Sequence, residues 1–284
     1  MDTPALSRLA DCPAPAKLNL FLHVVGRRGD GYHLLQSAFR LLDWGDRLSF
    51  ELRPNGAVVR LTDVPGVPAE QDLVVRAARL LQRETGCRHG VAITLDKHLP
   101  MGGGLGGGSS DAATTLIALN RLWRTGLDRT RLAALGLQLG ADVPFFIFGR
   151  DAFVEGVGER FTPLTLAPAW YVVLAPGVEI PTRQIFAAGE LTRDTVPIKI
   201  ADFAASTTRN DLQAVACAQY PEVGAAIDWL ARFAPARMTG SGSCVFAQTA
   251  GEADAQHIVE ACPSRWRAWK VKSLSRHPLH DWVD

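Results

Sequence analysis

The chain has 284 residues, 47% of them hydrophobic and 21% charged, which suits a soluble globular protein of one large or two medium domains. A formal net charge of +1 gives no electrostatic case for nucleic acid or a membrane surface as partner, and no apolar run approaches the length of a membrane span. Five scattered cysteines with no C-x-x-C pair point to reduced thiols in a cytoplasm and to no structural zinc. Met1 to Pro15 contains Asp2 and Asp11 and lacks an apolar centre, so it does not read as a secretory leader.

Ala16 to Val25 is the first strong apolar run and has the length of a buried strand. Lys17 and Asn19, two apart, share one of its faces. A lysine on a buried strand either has an anionic partner or frays towards water, and both readings stand. Gly29-Asp30-Gly31 is a turn. Tyr32 and His33 follow it, placed either to hold a planar ligand or to cap an edge of the core. Leu41 to Leu52 reads as a strand with a polar turn at Asp43 to Asp46, and Val58 to Leu61 as a short strand. Gln71 to Glu84 carries Leu73, Val74, Ala77, Leu80 and Leu81 at helical spacing, with Gly86 as its stop signal.

Val91 to Leu95 is a strand leading into Pro100 to Ala113, where six of fourteen residues are glycine. A helix patterned over Ala112 to Trp123 follows. Strand, glycine loop and helix N-terminus together present unpaired N–H groups and a partial positive charge, a site for a phosphate group. Ser109 and Ser110 add hydroxyl donors or a cap. No Gly-Lys-Ser/Thr follows, so this is not a Walker A loop. Gly102, Gly104 and Gly107 fit G-x-G-x-x-G, but the second strand that a dinucleotide fold requires is missing after the helix. The bland alternative is a flexible linker, against which stand the flanking elements and Leu105 in the middle.

Asp128 is placed to cap a helix carrying Leu132, Leu135 and Leu139 and ending at Gly140. Asp142 lies just beyond, before Pro144 and the apolar wall Phe145 to Phe148. It is either a turn-former or a buried acid with a cationic partner. Phe153 to Phe161 reads as a hairpin turning at Gly156 to Gly158. A change of rhythm at Thr162 to Pro168 sets a domain boundary, giving domains 1–163 and 164–284. Trp170 to Leu174 is a buried strand. Pro181-Thr182 opens a helix through Ile185 and Phe186; further helices start at Asn210-Asp211-Leu212, over Val223 to Phe233 and over Ala253 to Cys262. Gly240-Ser241-Gly242-Ser243, between two strands, either lines the mouth of the site or is a tight hairpin. Trp266 to Leu274 is a last strand, and the tail with His277 and His280 reads as polar rather than metal-binding.

Taken together, Ala16 to Leu22, Asp30 to His33, Pro100 to Ala113, Gly140 to Phe146, Pro181-Thr182 with Ile185-Phe186, and Thr239 to Gly242 resemble, in order, the motifs of the GHMP kinase superfamily. The extra glycine in Gly107-Gly108-Ser109-Ser110 is similar to the branch whose acceptor carries a cytidine diphosphate. The resemblance implies a two-domain α/β (α+β) architecture, with an N-terminal part like ribosomal-protein S5 domain 2, a ferredoxin-like C-terminal part and the site in the cleft between them. It implies transfer of the γ-phosphoryl of ATP to the 2-hydroxyl of 4-diphosphocytidyl-2-C-methyl-D-erythritol, a step towards isoprenoid precursors.

On this reading Pro100, Met101, Gly102, Gly103, Gly104, Leu105, Gly106, Gly107, Gly108, Ser109 and Ser110 wrap the ATP phosphates, and Asp111 points away from them. Asp142 takes the proton of the attacking hydroxyl and Lys17 is its charge partner. Asn19, Tyr32, His33, Asp142, Thr182, Phe186, Gly240 and Ser241 bind the acceptor, with the aromatic rings on the cytosine. Mg²⁺ travels with the nucleotide and has no dedicated protein ligand. A monomer or weak homodimer in the cytoplasm is expected. The rivals are a GHMP kinase for mevalonate, homoserine or a galactose-like sugar, a non-catalytic ligand sensor of the same fold, and a dehydrogenase.

Overall fold

A computed structural model describes residues 6–203 and 207–283. Residues 1–5 of the N-terminal stretch and Asp284 of the tail lie outside them. In chain order the elements are β1 (Arg8–Arg27), β2 (His33–Arg53), β3 (Val58–Arg60), α1 (Leu73–Thr85), β4 (Gly90–Asp96), α2 (Gly107–Leu122), α3 (Arg129–Leu139), α4 (Val143–Phe148), β5 (Ala152–Gly156), β6 (Arg160–Pro163), β7 (Trp170–Ala175), α5 (Thr182–Ala187), α6 (Gln213–Gln219), α7 (Pro221–Leu230), β8 (Ala236–Met238), β9 (Val245–Thr249), α8 (Glu252–Glu260) and β10 (Arg267–Leu274).

Ten strands form one sheet with a path β3-β4-β2-β10-β7-β9-β8; β1 pairs with β2, and β5 links β2 to β6. Two apolar cores lie along it. The first gathers α1, α2, α3 and α4 with Leu41, Phe50 and Ile93 of the sheet. The second gathers α6, α7 and α8 with Val172, Leu174 and Val245. A third cluster, including Leu18, Leu42, Leu105, Tyr171 and Val271, joins the two halves beneath the glycine loop.

Several elements depart from the sequence expectations. The first strand is twice as long as the apolar run, because β1 begins at Arg8 and runs on through Pro13 and Pro15, with bulges against β2 between Leu9 and Cys12 and between Pro15 and Lys17. The polar turn expected at Asp43 to Asp46 is instead part of the continuous strand β2. Gly45 lies so close under β1 that a Cβ there would sit 2.1 Å from the carbonyl oxygen of Ala14. Asp46 is buried and accepts from the backbone N–H groups of His98 and Leu99. Phe145 to Phe148 is helical, with Pro144 in the first turn of α4, where its missing N–H costs nothing. Asn210 and Asp211 do not start a helix. They pair with the free edge of β1 through Leu22, and α6 begins at Gln213 after the Asn210 side chain accepts from Leu212 N.

The tail is not a polar appendage. Leu279 and Val283 enter the first core, and His277 and His280 are buried, with His277 N donating to Gly149 O. Burial first, then the neighbouring His280 and the charge of Arg129, push the His277 imidazole down to about 3. The helix caps agree with expectation: Asp128 Oδ1 accepts from Arg131 N at 2.8 Å, and Gly86 ends α1 in the left-handed conformation.

Candidate active site

The free edge of β1 assembles the site. Lys17 N donates to Leu105 O of the glycine loop at 2.9 Å, and Asn19 N to Thr239 Oγ1 at 2.9 Å. Further along, Leu22 N donates to Arg209 O, and Val24 N to Asp211 Oδ2. One extended strand thus carries the glycine loop on one stretch and the C-terminal half on the next.

The glycine loop rests on the second glycine-serine turn. Ser243 N and Cys244 N donate to the carbonyls of Gly102 and Gly103, both at 3.2 Å. Gly104 has φ +74° and approaches so closely that a Cβ would lie 2.3 Å from Thr239 O. Gly106 (φ +73°) caps α2, and a Cβ there would press on Phe146 and Lys17. Both positions require glycine, for conformation and for space. Helix α2 begins at Gly107, five residues before the periodic run, so its first turn is made by glycine and serine and its N-terminal amides open on the loop.

This loop forms the wall between two cavities. The larger, about 760 Å³, is lined by Lys17, Tyr32, His33, Asp142, Thr182, Phe186, Gly240 and Ser241. The smaller, about 390 Å³, is lined by Pro100, Met101, Gly103, Leu105, Gly107 and Gly108 together with Val64, Val67, Gln71, Leu73, Leu95, Lys97 and Asp111. Gly102, Gly104, Gly106 and Ser109 line both.

Lys17 and Asp142 meet where the loop crosses, with Nζ 3.3 Å from Oδ2. The Lys17 side chain is 4% exposed and that of Asp142 31%, so the lysine is fixed and the carboxylate faces the cavity. Lys17 Nζ also donates to Asn19 Oδ1 at 2.5 Å and lies 4.7 Å from the centre of the Phe39 ring. Asn19 itself is buried behind Lys17, with Nδ2 donating to Ser37 Oγ at 3.0 Å, and does not line the cavity. Its place is to orient the lysine. Asp142 lies in the turn closed by Val143 N donating to Gly140 O, directly before α4, and its side chain is engaged with Lys17 rather than in capping the helix, so it is a turn residue and the partner of a cation at once.

At the far end of the larger cavity the His33 and Phe186 rings pack with centroids 5.0 Å apart. Tyr32 is 65% exposed at the rim. Thr182 Oγ1 and Ser241 Oγ are 2.7 Å apart, tying α5 to the second turn. Ser110 lines neither cavity: it is fully buried and its Oγ has no hydrogen-bond partner among the described residues.

Sequence reading missed Lys97. It lies between Asp46 (2.5 Å) and Asp111 (2.8 Å) at the edge of the smaller cavity. Burial pulls its ammonium down, but the two carboxylates outweigh this and hold it above its usual range. Asp111 is pushed up by burial, with Lys97 opposing. The available signal was the surplus of acids, because Asp46 and Asp111 both needed a cation and Lys97 stands at the end of β4. Arg27 and Arg183, which also line the larger cavity, were not singled out either.

The N-terminal GHMP kinase model matches residues 72–150 and the C-terminal one residues 192–268. A 4-diphosphocytidyl-2-C-methyl-D-erythritol kinase of Aromatoleum aromaticum is 76% identical over 283 residues, covering 100% of both chains. The chain belongs to the GHMP kinase family. As a GHMP kinase it is an ATP-dependent phosphotransferase with the two-domain α/β architecture of that family. Its structure is similar to a crystal structure of 4-(cytidine 5'-diphospho)-2C-methyl-D-erythritol kinase, with a TM-score of 0.79, 35% identity and coverage of 93% of this chain and 98% of the other. A homoserine kinase from Cytophaga hutchinsonii shares the fold at a TM-score of 0.71 and 16% identity, over 98% of both chains.

Proposed function

We propose that this GHMP kinase transfers the γ-phosphoryl of ATP to the 2-hydroxyl of 4-diphosphocytidyl-2-C-methyl-D-erythritol, in the methylerythritol phosphate route to isoprenoids. The observation that carries the reading is the larger cavity. It has a charged end, Lys17 and Asp142, and an aromatic end, His33 and Phe186 with Tyr32 at the rim, and it has room for a nucleotide-linked polyol between them. The 76% identity to a kinase of that name supports it.

ATP lies in the smaller cavity, with its phosphates over Gly102 to Ser109. The loop amides and the N-terminus of α2 face charge that spreads over the phosphoryl oxygens during transfer. The methylerythritol hydroxyl lies against Asp142, which accepts its proton as the oxygen attacks phosphorus. Lys17, held by Asn19, steadies the carboxylate and the transferring group. Mg²⁺ arrives with the nucleotide. The phosphates supply ligands to it. The cysteines are all unpaired, which suits a reducing cytoplasm.

Asp142→Asn tests the proton-accepting role. Turnover is expected to fall about 10²–10⁴-fold, with the KM for ATP near wild type. Wild-type turnover would rule the role out.

A further inference from the structure

Arg193, on the irregular segment after α5, reaches across to His33. Its Nε donates to His33 Nε2 at 3.1 Å. Its other nitrogens donate to Leu191 O at 3.0 Å, Phe186 O at 3.0 Å and Ala188 O at 2.7 Å. Two residues on, Thr195 N donates to Val24 O, which pins this segment to β1. One guanidinium thus holds both members of the ring pair that ends the larger cavity, His33 through its side chain and Phe186 through its carbonyl.

The chemistry of the contact is restrictive. A guanidinium has only donors. The His33 nitrogen facing it must therefore offer a lone pair, and the proton of the neutral ring is on Nδ1. Among the described residues no protein group accepts from that Nδ1–H. Burial, with the charges of Arg193 and Arg27, keeps the ring below its ordinary pKa and so in the neutral form.

We propose that Arg193 is a positioning residue that fixes His33 as its Nδ1–H tautomer and locks the His33–Phe186 pair, so that the cavity presents a hydrogen-bond donor to an acceptor atom on the edge of a pyrimidine base. On a cytosine the matching acceptors are O2 and N3. Without the guanidinium the ring could carry its proton on either nitrogen, and half of that choice would set a lone pair against the lone pairs of the base. The consequence for catalysis rests on the proposed cytidine acceptor; the link between Arg193 and the His33 tautomer does not.

The test uses the full chain labelled with ¹⁵N-histidine, with His33 assigned by His33→Gln, together with steady-state kinetics of wild type and Arg193→Met. In wild type, long-range ¹H–¹⁵N spectra are expected to place the His33 proton on Nδ1. In Arg193→Met the proton is expected to distribute between the two nitrogens, and the KM for the cytidine acceptor to rise about tenfold, the loss of one hydrogen bond. The KM for ATP is expected to stay near wild type. A wild-type ring protonated on Nε2 would overturn the proposal, as would a methionine variant that keeps the pure Nδ1–H form and the wild-type acceptor KM. Should Arg193→Met fail to fold, Arg193→Lys serves. It keeps the charge but cannot span His33 and the two carbonyls together, so a wild-type acceptor KM there would equally overturn it. A chain that shows the Nδ1–H tautomer yet does not turn over the cytidine acceptor would refute the proposed function and leave the clamp standing.

Discussion

Six glycines in one loop invite the view that the loop is merely flexible. The structure assigns them unequal duties, and Gly104→Ala measures this. Its φ of +74° places an alanine in the left-handed region, at about 1–2 kcal/mol. The new methyl would also lie 2.3 Å from Thr239 O and 3.1 Å from Gly242 O, both backbone atoms that cannot swing aside. Relieving such an overlap typically costs a further 1–3 kcal/mol or so. The sum, about 2–5 kcal/mol, corresponds to a fall in melting temperature of roughly 5–20 °C for a chain of this size. The backbone escapes by moving the loop off the Thr239 to Cys244 turn, so the KM for ATP should rise at least about tenfold where folded enzyme survives. Gly108→Ala is the control. It lies inside α2, its Cβ would meet only Leu73 Cδ1 at 3.6 Å, and its backbone is ordinary helix. Alanine there should leave stability unchanged or raise it by up to about 1 kcal/mol. Thermal melts and ATP titrations of both variants decide. A Gly104→Ala protein with wild-type melting temperature and ATP KM would refute the packing argument.

Tyr32→Ala should raise the KM for the cytidine acceptor while leaving that for ATP near wild type, because Tyr32 lines only the larger cavity; equal effects on both would remove it from the acceptor end. His277 gives a pH dependence. Its folded pKa, about 3, lies below the ordinary value of about 6.5, so the neutral ring is the form that stabilises the fold. That contribution is complete above pH 6.5 and is lost as pH falls towards 3, at up to about 1.4 kcal/mol per pH unit. His277→Asn keeps an acceptor for the Leu279 N–H, which His277 Nδ1 now takes at 3.0 Å, and should flatten the acid limb of a melting-temperature profile. An unchanged slope between pH 6.5 and 4.5 would contradict the assignment.

What the sequence disclosed and what it hid follow from the range of the forces involved. Local signals were legible: the Asp128 cap, the Gly86 stop, the periodic face of α1 and the strand-loop-helix order around the glycines depend on neighbours within a turn or two. Lys17 and Asp142 each stood out as a charge lacking a partner, and the fold places them 3.3 Å apart. The misses are long-range. Nothing near Asp43 to Asp46 says that Gly45 slides under β1, or that Asp46 will be needed by Lys97. Nothing near His277 says that the tail returns to the first core, where Gly149 and Arg129 receive it. Arg193 lies in a stretch with no periodicity, and its meaning appears only when His33, 160 positions earlier, is brought beside it.

The central claim is the identity of the acceptor. The direct measurement is coupled ADP release by the purified chain with ATP and Mg²⁺, offered 4-diphosphocytidyl-2-C-methyl-D-erythritol, mevalonate, homoserine and galactose in parallel. Turnover with the cytidine compound alone is predicted. Turnover with one of the others instead would keep the glycine loop and Asp142 but contradict the assignment of the His33–Phe186 end, and ATP binding without turnover of any of them would contradict the kinase account in favour of a ligand sensor.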